Sequence, residues 1–228
     1  MKKDYDYKKW RDYFLSFLLP SHKTGVDLAC GTGIMTYLLS ESEKKMIGID
    51  NCSEMLVKAQ QHKKSSCYCP QFVLCDMRKF TLNQKVDFVT CCCDGFNYIN
   101  QSDISKLFFR IYNYLEKGGI LIFDISSENK LRNVIGENIF YSDTENLTYL
   151  WTNEQLEDSV EMSITLFYKE KDGKYNRKDE KHIQFVHNYT SILFDLKNVG
   201  FSEAHCYKFL TLDLPSGKED RICFVAKK

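Results

Sequence analysis

The stretch Val26-Asp27-Leu28-Ala29-Cys30-Gly31-Thr32-Gly33 passes from a short apolar run into a glycine-rich turn. This pattern predicts a strand over residues 26–29 and a helix over residues 34–40. The two glycines allow the backbone to approach a ligand closely, and the first N–H groups of the helix have no partner within it. The stretch therefore predicts a site for a nucleotide-like ligand, with a purely structural tight turn as the alternative.

Two absences in this turn narrow the choice of ligand. A dinucleotide-binding turn has a third glycine three positions after Gly33, and this chain has Thr36 there. The Gly-Lys-Ser/Thr sequence of a phosphate-binding loop is also missing. We therefore expect neither NAD nor ATP at this turn.

Two carboxylates follow the next predicted strands. Asp50 ends the second strand, where a carboxylate can accept hydrogen bonds from both hydroxyls of a ribose. Asp76 follows the third strand, beside Met77, where a carboxylate can accept from an adenine amino group. Sheets of this kind bind ligands outside the carboxyl ends of their strands, so the pair predicts a site for an adenosine.

The remaining chain alternates apolar runs with helical patterns, which is typical of βαβ units around a largely parallel sheet. Residues 86–92 are apolar on both faces and predict a central strand. Ser53, Ser102 and Thr190 are predicted to cap helices, and residues 117–119 to end the helix that Ser102 begins. The predicted strands are residues 26–29, 45–49, 72–74, 86–92, 120–123, 203–210 and 221–226.

Beyond the fifth strand the pattern changes to extended segments, two of them joined by the hairpin signal Asp172-Gly173. We predict a single α/β domain over residues 1–228. Its Rossmann-like seven-stranded sheet carries a small antiparallel β insertion over residues 127–189, which we expect to cover the active site.

Composition limits the class of protein. Among 228 residues, Lys plus Arg and Asp plus Glu both number 31, so no basic field is present to attract nucleic acid or anionic lipid. No apolar run is long enough to span a membrane, and no signal peptide is recognisable. We expect a cytoplasmic protein with no membrane or nucleic-acid partner. The pattern indicates no oligomeric state.

The ten cysteines are expected to be reduced thiols, mostly in the core. A zinc site could be drawn from His62, Cys67, Cys69 and Cys75. The chain has no Cys-x-x-Cys pair, and strand register would scatter these residues, so we expect no metal.

Taken together, these motifs resemble those of the class I S-adenosylmethionine-dependent methyltransferases, and the resemblance covers most of the chain. The matching segments are residues 27–33, Gly48-Ile49-Asp50 with Ser53 and Met55-Leu56, Asp76-Met77, Val86-Asp87-Phe88-Val89 and Leu115-Glu116-Lys117-Gly118-Gly119.

The resemblance implies S-adenosylmethionine as the cofactor and a place for each of its parts. It puts Ala29, Gly31 and Gly33 against the methionine part and Asp27 near its amino group. It also implies that Asp50 holds the ribose and that Asp76, with the Met77 backbone, reads the adenine. The other residues assigned to the cofactor are Tyr7, Trp10, Cys30, Asn51, Met55 and Cys93.

A narrower resemblance is to small bacterial methyltransferases related to glycine N-methyltransferase and to amino-sugar N,N-dimethyltransferases. It rests on the Tyr-x-x-Trp at residues 7–10, on residues 93–98 and on Tyr149-Leu150-Trp151. In those relatives an N-terminal aromatic arm lies over the cofactor. The chain begins six residues before Tyr7, so we expect a short arm. Gly95 stands where the relatives usually have serine.

Candidates for catalysis follow the fourth strand: Asp94, Asn97 and Tyr98. Asp94 could bind a substrate ammonium group or relay its proton, and its alternative is a turn or capping residue. His187 in the insertion is a candidate substrate contact, with a satisfied structural histidine as the alternative.

The sequence therefore predicts an enzyme that transfers a methyl group from S-adenosylmethionine to a small-molecule acceptor, at nitrogen. An O-methyltransferase, or an enzyme acting on RNA or protein, is the first alternative. A non-catalytic module that binds S-adenosylmethionine is the second, because a fold does not establish an activity.

Overall fold

The computed structural model describes residues 6–61 and 69–228 of the chain. The helices are α1 (Tyr7–Leu15), α2 (Ile34–Glu41), α3 (Ser53–Gln60), α4 (Gln101–Tyr114) and α5 (Tyr189–Val199), with a 3-10 helix at Gly95–Tyr98 and a π-helix at Lys130–Ile135. The strands are β1 (Thr24–Leu28), β2 (Lys45–Asp50), β3 (Gln71–Leu74), β4 (Val86–Cys91), β5 (Leu115–Ser126), β6 (Phe140–Asp143), β7 (Leu147–Gln155), β8 (Ser159–Lys169), β9 (Tyr175–Phe185), β10 (Glu203–Lys208) and β11 (Arg221–Lys227).

Seven strands form the main sheet, in the order β10-β11-β5-β4-β1-β2-β3. The strands β1 to β5 pair in parallel, and β11 pairs antiparallel with both β5 and β10. The predicted α/β fold with a mostly parallel seven-stranded sheet is confirmed. Because β1 has β2 on one side and β4 on the other, strand order reverses there and opens a crevice at the carboxyl ends.

Helices cover both faces of the main sheet. The buried apolar residues of α4, such as Phe108, pack on one face together with α5. On the other face, Trp10 and Phe14 of α1 pack beside Met35 and Leu39 of α2. Helix α1 was not predicted from the sequence, and it brings the N-terminal aromatic residues onto the sheet.

Four strands form a second, antiparallel sheet in the order β6-β7-β8-β9, which confirms the predicted antiparallel part of the fold. Its β8 side chains Val160 and Met162 pack on Leu131 and Ile135 of the π-helix. The boundary at residue 127 and the single-domain division stay predictions.

Three predicted helix caps are wrong. The side chain of Asn100, not Ser102, caps α4 by accepting from the Asp103 N–H at 2.9 Å. Asn188, not Thr190, caps α5 by accepting from the Thr190 N–H. The residue before Ser53 is the N-cap of α3, and it makes no capping hydrogen bond. An amide oxygen two or three residues before the free N–H groups reaches them, and each predicted cap lies too far into its helix.

Helix α4 also ends earlier than predicted. It stops at Tyr114, and residues 117–119 belong to β5. In the described ranges, 6–61 and 69–228, none of the helices has the length and apolar character that crossing a bilayer requires.

Candidate active site

A cavity of two adjoining lobes, which share several lining residues, lies outside the carboxyl ends of β1, β2, β3 and β4. The larger lobe has a volume of about 400 Å³ and the smaller lobe about 260 Å³. Of the residues predicted for the site, the larger lobe brings together Ala29, Gly31, Asp50, Asn51, Met55, Asp76, Met77, Cys93 and Tyr98. The smaller lobe is lined by Tyr7, Asp27 and Cys30, and shares Ala29, Gly31, Met55 and Cys93 with the larger lobe.

The two glycines of the turn differ in their physical roles. Gly31 has φ +54°, and a Cβ placed on it would meet no protein atom within 4 Å, so this position opens into the cavity. Gly33 has φ +75°, and its Cβ would lie 2.8 Å from the ring of Phe72. Packing, together with a positive φ, therefore explains Gly33, which lines neither lobe.

Asp50 joins the glycine turn to the next unit of the sheet. Its Oδ2 accepts the Gly31 N–H at 2.7 Å, and its Oδ1 accepts the Cys52 N–H at 2.9 Å, just before α3. The carboxylate stands on the wall of the larger lobe. It therefore holds two backbone segments in place while facing the cavity.

Asp76 has a partner that the sequence analysis missed. The Arg78 guanidinium donates to both carboxylate oxygens, from Nη2 at 2.5 Å and from Nε at 3.0 Å. These hydrogen bonds lower the pKa of Asp76. Arg78 lines the larger lobe and also pairs with Asp103 at 3.7 Å. The acid after β3 is therefore ionised and fixed at the cavity wall.

Asp27 is buried on β1 beside the smaller lobe. Its oxygens accept from the Thr36 hydroxyl at 2.6 Å and the Thr90 hydroxyl at 2.9 Å. Burial raises the pKa of Asp27 to about 6, against these two hydrogen bonds. Thr36, which replaces the third glycine of a dinucleotide-binding turn, thus serves to hold this carboxylate.

The end of β4 has an unusual backbone. Cys93 and Asp94 both adopt left-handed conformations, with φ 59° and 56°. The carboxylate of Asp124 accepts both of their N–H groups, at 2.9 and 3.1 Å. At Gly95 a Cβ would lie 2.6 Å from the Cys91 Sγ, which explains why serine is absent here.

The side chain of Asp94 already has two partners. Its Oδ1 accepts from Arg221 at 2.9 Å, and its Oδ2 accepts from Gln184 of β9 at 2.6 Å. Asp94 does not line either lobe. The alternative prediction, that Asp94 is a turn residue, agrees with its left-handed backbone. Its carboxylate connects the turn after β4 to β9 and β11.

Tyr98 lies at the wall of the larger lobe, whereas Asn97 and His187 lie elsewhere. The Tyr98 hydroxyl is 3.3 Å from Nδ1 of His182, which lines the same lobe. Asn97 is buried, with its amide bound to Ser126 and to another backbone carbonyl. The structure thus separates Asn97 from the cavity.

His187 is also held by structural contacts. Its ring nitrogens lie 3.1 Å from the Gln101 Oε1 and 3.2 Å from the Phe96 carbonyl oxygen. Burial lowers the pKa of this imidazole. It lines neither lobe, whereas His182 of β9 lines the larger lobe.

Trp10 is buried under Arg221 rather than in the cavity, with the guanidinium 5.2 Å from its ring centre.

The sequence analysis missed four residues in or beside the site: Arg221, Gln184, His182 and Arg78. The alternation of His182 and Gln184 with Ile183 and Phe185 is the only local signal for the two residues of β9, and the two arginines had none.

The described residues, 6–61 and 69–228, contain no group of three or more His, Cys, Asp and Glu side chains arranged to hold a metal. His62 and Cys67 of the rejected zinc reading lie outside the described residues. Burial raises the pKa of the Cys93 thiol to about 12 and also raises that of Cys30, so both thiols stay protonated.

The residues around the cavity fit an adenosine-containing cofactor. Open space faces Gly31, where a side chain would fill the cavity. Carboxylates stand at the end of β2 and after β3, as a ribose and an adenine amino group require. Fold and site together define a Rossmann-like protein with a site for an adenosine-containing cofactor.

Comparison with known proteins gives the family. Residues 26–119 match the model of a methyltransferase domain. A provisionally named methyltransferase of Geobacillus sp. (strain WCH70) is 31% identical over 229 residues, covering 97% of this chain and 93% of the relative. Another, of Bacillus subtilis (strain 168), is 32% identical over 225 residues, covering 97% and 90%.

Solved structures agree with this assignment. An S-adenosylmethionine-dependent methyltransferase from Clostridium acetobutylicum ATCC 824 is 32% identical, with a TM-score of 0.90, covering 98% of this chain and 92% of that one. The sugar N-methyltransferase KedS8 from Streptoalloteichus sp. ATCC 53650 shares the fold at 17% identity, with a TM-score of 0.79 and coverage of 99% and 88%. The chain belongs to the S-adenosylmethionine-dependent methyltransferases, and its cofactor is S-adenosylmethionine.

Proposed function

We propose that this enzyme transfers the methyl group of S-adenosylmethionine to the nitrogen of a small-molecule acceptor. The observation that carries the proposal is the meeting of Tyr98 and His182 at the larger lobe, where β9 of the insertion sheet closes the cavity. The lobe also contains Asp50 and Asp76, which we propose for the cofactor, so the Tyr98 and His182 wall is the side of the site left for a small acceptor.

The bound cofactor supplies an electrophilic methyl group on a sulfonium, and the protein has to align the acceptor, exclude water and remove a proton. Burial and the nearby Asp94 raise the pKa of Tyr98, so its hydroxyl stays protonated. A neutral phenol can accept the proton of an amine only while passing its own to a base. His182 is the base within reach, and Tyr98 with His182 is the acceptor-side pair that we propose.

The role of Asp94 in this proposal is indirect. Arg221 and Gln184 occupy its two oxygens, so it holds the acceptor-side wall and adds negative charge there. We propose the same kind of supporting role for Asn97 and His187, since both lie outside the cavity.

For the cofactor, we propose the places that the family resemblance implies. Asp50 holds the ribose, Asp76 and the Met77 backbone read the adenine, and Asp27 lies near the amino group. The remaining cofactor contacts that we propose are Tyr7, Ala29, Cys30, Gly31, Asn51, Met55 and Cys93. Their presence around one cavity supports this set.

We further propose a cytoplasmic protein. All nine cysteines in the described residues are free thiols, which suits a reducing compartment. Equal numbers of acidic and basic residues give no reason to expect RNA as the substrate.

The test is methyl transfer from labelled S-adenosylmethionine to a panel of small amines, with amino sugars first because sugar N-methyltransferases share the fold. Each amine is paired with the analogue that has a hydroxyl in its place. We expect turnover with amines only, and in Tyr98→Phe a lower kcat with unchanged affinity for S-adenosylhomocysteine. Turnover confined to hydroxyl analogues, RNA or protein would overturn the proposal.

O-methylation is the second candidate, because the Tyr98 and His182 pair could also deprotonate a hydroxyl. O-methylation predicts turnover with the hydroxyl analogues and none with the matching amines. Cofactor binding without transfer to any acceptor would instead support the non-catalytic module.

A further inference from the structure

Arg221, the first residue of β11, is a buried cation with two carboxylate partners. Its side chain is 8% exposed; Nη2 donates to Asp94 at 2.9 Å, and Nη1 donates to the fully buried Asp124. Burying a guanidinium is costly unless its charge is matched and its hydrogen-bonding groups are used. Here one planar fork reaches one acid in the turn after β4 and another on β5, a geometry that lysine cannot reproduce.

Both acids are tied to the left-handed turn at the end of β4. Asp94 is the second residue of that turn, and Asp124 accepts the N–H groups of Cys93 and Asp94. Residues other than glycine rarely hold such a conformation without support from their surroundings. Because Cys93 lines the smaller lobe beside Tyr7 and Asp27, the position of this turn sets the shape of that lobe.

The opposite side of Arg221 contacts aromatic rings. Its guanidinium lies 5.2 Å from the ring centre of Trp10 and 5.8 Å from that of Phe209. Trp10 belongs to α1 and packs edge-on against Phe209 at 4.6 Å. A cation over desolvated aromatic rings is attracted to them, so Arg221 holds α1 against the sheet as well.

Helix α1 carries the cover of the smaller lobe. Its first residue, Tyr7, lines that lobe together with Cys93, and its ring centre lies 5.8 Å from that of Trp10. The guanidinium of Arg221 therefore contacts both the Cys93–Asp94 turn and helix α1, and both of these line the smaller lobe.

We propose that Arg221 is a positioning residue that clamps α1 to the Cys93–Asp94 turn and so builds the smaller lobe for the methionine part of the cofactor. The inference concerns cofactor binding alone, and it holds whether the acceptor is an amine or an alcohol. It differs from a general structural role in one respect: its effect falls on the part of the ligand that enters the smaller lobe.

The test compares two ligands by calorimetry. S-adenosylhomocysteine has the amino-acid part, and 5′-methylthioadenosine lacks it. In Arg221→Lys we expect at least a tenfold loss of affinity for S-adenosylhomocysteine and less than a twofold change for 5′-methylthioadenosine. The control is Arg177→Lys, an exposed arginine paired with Asp179 on β9, which should change neither affinity.

A second variant distinguishes loss of the clamp from a general folding defect in Arg221→Lys. Trp10→Leu keeps an apolar side chain in α1 but removes the ring under the guanidinium, and it should show the same ligand pattern. If the two residues form one clamp, the double variant binds S-adenosylhomocysteine about as weakly as the weaker single variant. A purely structural role would lower the unfolding temperature and weaken both ligands equally.

Equal losses for both ligands, no loss for either, or additive effects in the double variant would each overturn the inference. The wild-type protein binding both ligands is the reference, so the outcome does not depend on finding the methyl acceptor.

Discussion

Asp27, Asp50 and Asp94 have the same side chain, and their neighbours give each a different task. Asp27 is buried between two hydroxyls and its pKa is raised. Asp50 accepts two backbone N–H groups and faces the cavity. Asp94 is held by a guanidinium and an amide. The surroundings of each aspartate, more than its residue type, therefore decide whether its carboxylate faces the cavity or connects parts of the fold.

We predict that Asp50→Ala lowers affinity for S-adenosylhomocysteine at least tenfold. The change removes the proposed ribose acceptor, and it also leaves the Gly31 and Cys52 N–H groups without their acceptor. Leaving a hydrogen-bonding group without its partner costs about 1–3 kcal/mol of free energy. Calorimetric titration measures it, with Asp179→Ala on the exposed face of β9 as the control. Unchanged affinity would remove Asp50 from the binding site.

We predict that Asp27 makes the protein less stable as pH rises. Its pKa is about 6 in the folded state against an ordinary 3.8, so the folded protein binds the proton more tightly than the unfolded chain does. Its contribution to the free energy of unfolding therefore falls by about 2 kcal/mol between about pH 4.5 and 7.5. It is constant above that window.

Urea unfolding of the wild type and Asp27→Asn at both pH values measures this contribution as a difference. We expect the wild type to lose stability relative to the variant as pH rises. A difference that is independent of pH would show that Asp27 keeps an ordinary pKa in the folded protein.

Residues at strand ends could be predicted because their position depends on local pattern alone. Asp50 and Asp76 each directly follow or end an apolar run, and both line the larger lobe. The partners of Asp94 could not be predicted, because Gln184 and Arg221 are far away in the chain and reach it only through the folded sheet. Which strands pair, and in which register, cannot be seen in the pattern of polar and apolar residues.

At the scale of elements, the caps of α4 and α5 show where local reasoning fails. Ser102 and Thr190 are good capping residues, yet each lies inside its helix, after an asparagine that takes the capping role. Serine, threonine and asparagine have similar capping preferences, so spacing alone did not choose between them.

We predict that Asn100→Ala lowers the free energy of unfolding by about 1 kcal/mol, since it leaves the Asp103 N–H without its side-chain acceptor. Ser102→Ala, the matched change at the residue first assigned as the cap, should cost only a few tenths of that amount. Urea denaturation compares the two. A larger loss in Ser102→Ala would restore the original assignment.

At the scale of the whole molecule, the two sheets depend on different cores. The main sheet has a large apolar core on each face, whereas the insertion sheet is seated on the small cluster of Leu131, Ile135, Val160 and Met162. The sheet that contributes His182 to the larger lobe is thus the part with the smaller core. We expect it to open more readily than β1 to β5.

We predict that Leu131→Ala lowers the free energy of unfolding by about 2–5 kcal/mol, because it leaves a cavity under β8. Hydrogen exchange should rise over residues 147–185 before it rises in the main sheet. Val134→Ala, an exposed change in the same π-helix, is the control. Equal increases in both sheets would mean that they unfold as one unit.

The contact between Trp10 and Arg221 joins residues that a ribosome makes early and late. Strands β1 to β5, together with Asp50 at the end of β2 and Asp76 after β3, are made before β11. The clamp that we propose therefore cannot form until β11 has been made, although the residues around both lobes precede it in the chain. We expect tight binding of S-adenosylhomocysteine only by a chain in which β11 has been translated.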